Sequence, residues 1–163
     1  MIQERLKELR AQMQERGIDI YIVPTSDFHQ SEYVGEYFKA RKYMTGFTRS
    51  AGTAVITKEE AGLWTDGRYF IQAEKQLEGS TVKLFKMGEE GVPKVEEYVK
   101  DHLTEGSCIG FDGRVMDAKS GEKYAKMAEE KKAALYVKED LVGNIWKDRP
   151  QLPANKVWIL EDA

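Results

Sequence analysis

The sequence is poor in the residues that metal and redox chemistry need. Cys108 is its one cysteine in 163 residues, which excludes an internal disulfide and a zinc site built on several cysteines. Two histidines, His29 and His102, are too few for a histidine-rich metal cluster. No apolar run approaches the ~20 residues that cross a bilayer. The stretch from Met1 to Arg16 alternates charges with spaced Leu and Ile, unlike a secretory signal, so the cytosol is the expected compartment. Excess positive charge is missing too: 25 Lys and Arg stand against 28 Asp and Glu, a net charge of −3. That balance gives no electrostatic case for nucleic acid or an anionic membrane as partner. Also absent are H-E-x-x-H, G-x-S-x-G, G-x-x-x-x-G-K and G-x-G-x-x-G, and with them the common zinc, serine-hydrolase, P-loop and dinucleotide signatures. What remains is a globular composition, 41% apolar and 33% charged, long enough for one domain with a sizeable core.

Hydrophobic spacing predicts alternating helices and strands. Ile2, Leu6, Leu9 and Met13 share one helical face, and Gly17 stands where a C-cap belongs. The continuous apolar run from Ile18 to Val23, stopped by Pro24, reads as a strand buried on both faces. Two short β-rich runs, from Thr53 to Thr57 and from Gly62 to Thr65, predict an antiparallel hairpin. Further strands are expected from Thr81 to Phe85, Cys108 to Phe111 and Ala134 to Val137. Helical faces recur in Phe70, Ala73 and Leu77; in Val92, Val95, Val99 and Leu103, with Pro93 in the first turn; from Ser120 to Lys132; and from Asp140 to Trp146. The fold class is therefore α/β, with a mixed sheet because of the hairpin. A proline-punctuated linker runs from Arg149 to Pro153, and a new apolar run, Val157 to Leu160, opens just before the sequence stops. That ending reads as a piece of a longer chain, with a domain over residues 1–150 and, over 151–163, a linker and the start of the next domain.

Two clusters carry the chemistry. Asp27-Phe28-His29-Gln30-Ser31-Glu32 packs acid, imidazole, amide and hydroxyl just beyond the first strand, where open α/β sheets bind ligands. The competing structural role is a cap by Asp27 or Ser31 on the next helix, with His29 supporting the loop. A metal needs three or four ligands and this cluster offers at most three weak candidates, so a structural role is favoured and no metal ligand is assigned. In Trp64-Thr65-Asp66-Gly67-Arg68-Tyr69-Phe70, Asp66 reads as an N-cap, and Arg68 sits at a helix start, where the dipole opposes a cation. Arg68 is either an ion-pair partner of Asp66 or a contact for an anion or carbonyl, and composition leaves the two even. Ser50 in Arg49-Ser50-Ala51-Gly52-Thr53 has no base placed by sequence, and a tight loop is the better role. Tyr33, Tyr37, Phe38, Tyr43 and Phe47 read as packing, and His102 as a boundary residue.

Pro24 to Tyr33, then Gly46-Phe47-Thr48-Arg49-Ser50-Ala51-Gly52-Thr53-Ala54, then Trp64 to Phe70, and finally Leu141 to Pro150, together resemble the N-terminal domain of long, three-domain Xaa-Pro aminopeptidases. The wider group that these motifs resemble is the N-terminal domain of the creatinase, prolidase and aminopeptidase P superfamily. The resemblance implies a ribonuclease H-like, mixed six-stranded sheet flanked by helices. It implies a parent that removes an N-terminal residue preceding proline, with two divalent metals, commonly manganese, in a C-terminal domain. This chain would then hold no cofactor, and its partners would be the proline-second peptide, the parent's middle and catalytic domains and a second copy in a homodimer. Arg68 matches the family's substrate-contacting arginine; Asp27 and His29 are candidates to line the same cleft. No catalytic residue is assigned to this chain. The rival readings are a peptide- or histone-binding module of an inactive relative and a stand-alone regulatory or scaffold domain.

Overall fold

The computed structural model describes residues 1–159. Its sheet has six strands: β1 (Ile20–Val23), β2 (Thr53–Thr57), β3 (Ala61–Thr65), β4 (Val82–Lys86), β5 (Cys108–Phe111) and β6 (Ala134–Tyr136). Their order across the sheet is β4-β3-β2-β1-β5-β6. β1 pairs antiparallel with β2, and β2 antiparallel with β3, so β1 and β3 point the same way. The remaining pairs, β3 with β4, β1 with β5 and β5 with β6, are parallel. Five strands therefore end at one edge of the sheet, and β2 starts there. Every loop that follows a parallel strand gathers at that edge.

Strand alternation divides the core in two. Tyr21 and Val23 of β1 face one layer and Ile20 and Ile22 the other, as a period of two requires. The first layer holds α1 (Ile2–Glu15), α2 (Ala40–Thr45), α3 (Phe70–Leu77) and α6 (Leu141–Ile145), packed through Leu6, Leu9, Met44, Ala73, Leu77 and Leu141. The second holds α4 (Val95–His102) and α5 (Ala118–Glu130), packed through Tyr98, Val99, Tyr124 and Ala128 against Ile109 and Trp64. Helices cover both faces, which is why β1 and β5 are buried along their whole length.

The expected elements are present, with shifted ends. Pro93 lies outside α4 rather than in its first turn. Its carbonyl accepts the Trp64 indole N–H at 2.9 Å, and Lys94 is the cap, with its amide bonded to the Glu97 carboxylate at 2.8 Å. The helix expected from Ser120 starts earlier, at Ala118, because the Asp117 side chain caps it by accepting the Ser120 amide. It ends before Lys132, whose positive φ of 53° turns the chain toward β6. Tyr33 departs from the expected aromatic packing: it is 75% exposed, whereas Phe47 is fully buried. Val157, Trp158 and Ile159 belong to no helix or strand and are exposed; Leu160, the last residue of that expected run, lies outside the described residues.

Candidate functional site

Both clusters singled out in the sequence sit at the strand-end edge, one after β1 and one after β3. The Asp27 carboxylate is nearly buried, and its Oδ1 accepts the amides of His29 at 2.9 Å and Ser31 at 3.0 Å. Hydrogen bonds from Ser31 first, and then from His29, hold this carboxyl below its usual range. Asp27 thus organises its own loop instead of capping the next helix. That next turn, Glu36–Phe38, has Gly35 as its cap, and Ser31 caps nothing either. Gln30 completes the loop in a left-handed conformation, φ 58°, with its side chain meeting the Ser26 hydroxyl at 2.9 Å. The His29 side chain is exposed and makes no hydrogen bond among the described residues. Phe28 packs edge-on against Phe38, with ring centroids 4.8 Å apart.

After β3, Asp66 accepts the Arg68 amide at 3.1 Å and holds the guanidinium with two further bonds, from Nε at 2.8 Å and from Nη2 at 2.9 Å. The ion-pair partner considered in the sequence is therefore present, and it also removes the dipole objection. Arg68 lies in the short turn Gly67–Tyr69, before α3 begins at Phe70, with a carboxylate against it. The pair pushes Arg68 up and draws Asp66 below the ordinary carboxylate range. Arg68 remains 70% exposed, with its guanidinium 5.0 Å from the Tyr69 ring centre. Two of its five N–H groups serve Asp66 through the side chain, and among the described residues Nη1 has no hydrogen-bond partner.

A second Asp-Gly-Arg follows β5 with the same geometry. Asp112 accepts the Arg114 amide at 3.0 Å, and Arg114 returns Nε and Nη2 bonds of 3.0 Å each. The tripeptide stands in the sequence at 66–68 and again at 112–114. Because both copies close the same way, the Asp–Arg pairing is a property of the tripeptide after a strand and does not by itself mark a site.

Arg41 was not singled out in the sequence. It is 3% exposed, and it donates to the Thr25 hydroxyl at 3.0 Å and to the Phe47 and Arg49 carbonyls. Thr25 in turn donates to the Gly52 carbonyl at 2.7 Å. One buried guanidinium thereby ties the loop after β1 to the loop before β2. Ser50 is part of that second loop, and among the described residues its hydroxyl is bonded only to the Tyr69 hydroxyl, at 3.3 Å, consistent with a loop role. His102 stacks on Tyr98 far from this edge, its Nδ1 2.8 Å from the Tyr98 carbonyl.

Among the described residues, no three His, Cys, Asp or Glu side chains come together to hold a metal ion. No helix is long and apolar enough to cross a membrane. Residues 5–139 match the Creatinase/Prolidase N-terminal domain. The chain belongs to that family. It is 43% identical over 164 residues to Aminopeptidase P2 of Arabidopsis thaliana, covering 98% of this chain and 23% of that protein. It is 47% identical over 158 residues to a probable Xaa-Pro aminopeptidase P of Pyrenophora teres f. teres, covering 94% of this chain and 24% of that one. Among solved structures, the X-prolyl aminopeptidase of Caenorhabditis elegans, described as a cytosolic enzyme with a di-nuclear active site, superposes with a TM-score of 0.87 at 34% identity. That match covers 94% of this chain and 26% of the worm protein. The creatinase/prolidase N-terminal chain described here thus spans about a quarter of the relatives it matches.

Proposed function

We propose that this chain is the non-catalytic N-terminal domain of a cytosolic Xaa-Pro aminopeptidase, in which residues 1–150 form the domain and 151–163 lead into the next one. The observation that carries the reading is identity of 43–47% with aminopeptidase P proteins along almost the whole chain, confined to about a quarter of their length. The two divalent metals, with manganese expected, are assigned to the parent's catalytic domain; among the described residues of this chain no three His, Cys, Asp or Glu side chains come together, and no chemical step is assigned to it. Its role is to shape the cleft for a peptide with proline second. Arg68 is the residue assigned to the substrate: it is exposed, oriented by Asp66 and left with unused donors. Asp27 contributes by fixing the loop that carries His29 along the same edge.

In the full-length parent, Arg68→Ala should lower kcat/KM for an Xaa-Pro peptide by about 10- to 150-fold, the loss expected for a hydrogen bond to a charged donor. Metal content should not change. Arg68→Lys should recover part of the loss, because an ammonium lacks the planar fork. An unchanged kcat/KM in Arg68→Ala would leave Arg68 as the structural partner of Asp66. Parents that bind such peptides without cleaving them would favour the peptide-binding relative.

A further inference from the structure

A pocket of about 210 Å³ reaches from Thr25 and Tyr33 across α2 to the loop from Thr48 to Ser50, where Ser50 meets Tyr69. Four cations line it, Lys39, Arg41, Lys42 and Arg49, and no carboxylate among the described residues does. Glu36 pairs with Lys39 and stands 3.8 Å from Lys42, so one acid serves two of the four charges. Arg49 is held by the neutral amide of Gln72. Arg41 is the telling member, because a buried cation is normally paired with an anion. Here its partners are one hydroxyl and two carbonyls, three acceptors for five N–H groups. Burial without an anion draws Arg41 down to about 10. The walls are apolar as well as basic, through Val34 and Phe38.

We infer that this pocket is a subsite for a carboxylate of a bound peptide. Its volume is below the ~300–1,000 Å³ of sites that enclose a whole small molecule, so it suits one residue or one terminus of a longer chain. It is joined to Arg68 through Tyr69, whose hydroxyl lies 3.3 Å from Ser50 of the pocket and whose ring lies under the guanidinium. A peptide held by Arg68 therefore has a basic pocket within reach for an acidic side chain or for its own C-terminal carboxylate. That the ligand is a peptide rests on the proposed function; the preference for a carboxylate rests on the pocket alone.

The test uses amide spectra of the isotopically labelled 163-residue chain. Four probes are titrated: a tetrapeptide with neutral side chains and a free carboxyl terminus, its C-terminal amide, an amidated peptide carrying one glutamate, and inorganic phosphate. The carboxylate peptides should shift the amides of Thr48, Arg49 and Ser50 saturably, and the neutral amide should not. Saturation by the free terminus alone assigns the C-terminal carboxylate, and by the glutamate peptide alone assigns an acidic side chain. The pair Lys42→Gln and Arg49→Gln, both at the surface, should weaken binding by about three- to tenfold, as expected for two exposed charges. Equal shifts from the neutral amide, shifts from phosphate without any from the carboxylate peptides, or no loss in the double variant would each overturn the subsite. Failure of the aminopeptidase reading would show separately, as a full-length parent that hydrolyses no Xaa-Pro peptide.

Discussion

Gly143→Ala should destabilise this domain although the position is inside a helix. In α6, a methyl in place of hydrogen would normally help: Gly costs about 0.5–1 kcal/mol relative to Ala in a helix interior. Here an ideal Cβ would stand 2.5 Å from Arg149 Nη1, 2.7 Å from Asp140 Oδ2 and 2.9 Å from Asp140 Cγ. Asp140 cannot step aside freely, because its Oδ1 caps α6 by accepting the Gly143 amide at 2.8 Å. The pair that would be pushed apart is nearly buried, with side chains 14% and 12% exposed. Breaking such a pair costs about 3–5 kcal/mol. Arg149 keeps its 2.9 Å bond to the Tyr37 carbonyl, so part of that cost is spared. A net loss of about 2–3 kcal/mol follows once the helix gain of Ala is subtracted. At ~2–4 °C per kcal/mol for a chain of this size, Tm should fall by about 4–12 °C. Gly121→Ala in α5 is the control. Nothing lies within 4 Å of its ideal Cβ, so it should gain about 0.5–1 kcal/mol. In an Arg149→Ala background the penalty at Gly143 should shrink by at least about 1 kcal/mol, which a double-mutant cycle measures. A Gly143→Ala domain as stable as the parent sequence, or one with no coupling to Arg149, would refute the reasoning.

Arg41→Met should cost about 2–4 kcal/mol in denaturant melts, because the Phe47 and Arg49 carbonyls lose their donor in the interior; a loss below about 1 kcal/mol would mean those carbonyls find other partners. Asp27→Asn should keep the loop, since an amide oxygen still accepts the His29 and Ser31 amides, yet flatten the acid side of the stability curve. The sign follows from the lowered carboxyl: its stabilisation is present above the unfolded value near ~4 and is lost as pH falls through the folded value. Thermal melts from pH 7 down to pH 2 check this, and identical acid limbs in the two proteins would contradict it.

Most of the fold is legible because burial on both sheet faces forces long apolar runs. β5 coincides with the expected Cys108–Phe111, and Tyr21 and Val23 alternate with Ile20 and Ile22 as a two-sided strand must. Element ends are less legible, since they depend on partners far along the chain. Pro93 is a permitted first-turn residue by local rules, and only the Trp64 indole, 29 residues away, shows why it stays outside α4. Topology follows the same division. The hairpin is visible in two short runs, whereas the direction of β4, β5 and β6 requires crossovers through helices that local patterns do not order.

For the candidate site, the decisive difference lies between Arg68 and Arg41. Arg68 drew notice because a cation at a helix start is electrostatically odd, and the structure removes that oddity with Asp66 while a second copy, Asp112 and Arg114, shows the pairing to be local. What still separates the two copies is their surroundings. Arg68 stands over Tyr69, whose hydroxyl meets the Ser50 loop, while Arg114 faces Phe28 at 5.3 Å and lies 3.6 Å from a second acid, Asp140. Arg114 thus answers to two carboxylates and Arg68 to one, which leaves Arg68 the better donor for an incoming anion or carbonyl. Arg41 gave no local sign, because two of its three partners are backbone carbonyls, which any sequence supplies, and the third is a threonine hydroxyl 16 residues away. A buried guanidinium bonded only to neutral acceptors is recognisable once the chain is folded, and that is why the basic pocket emerges from packing and not from a motif.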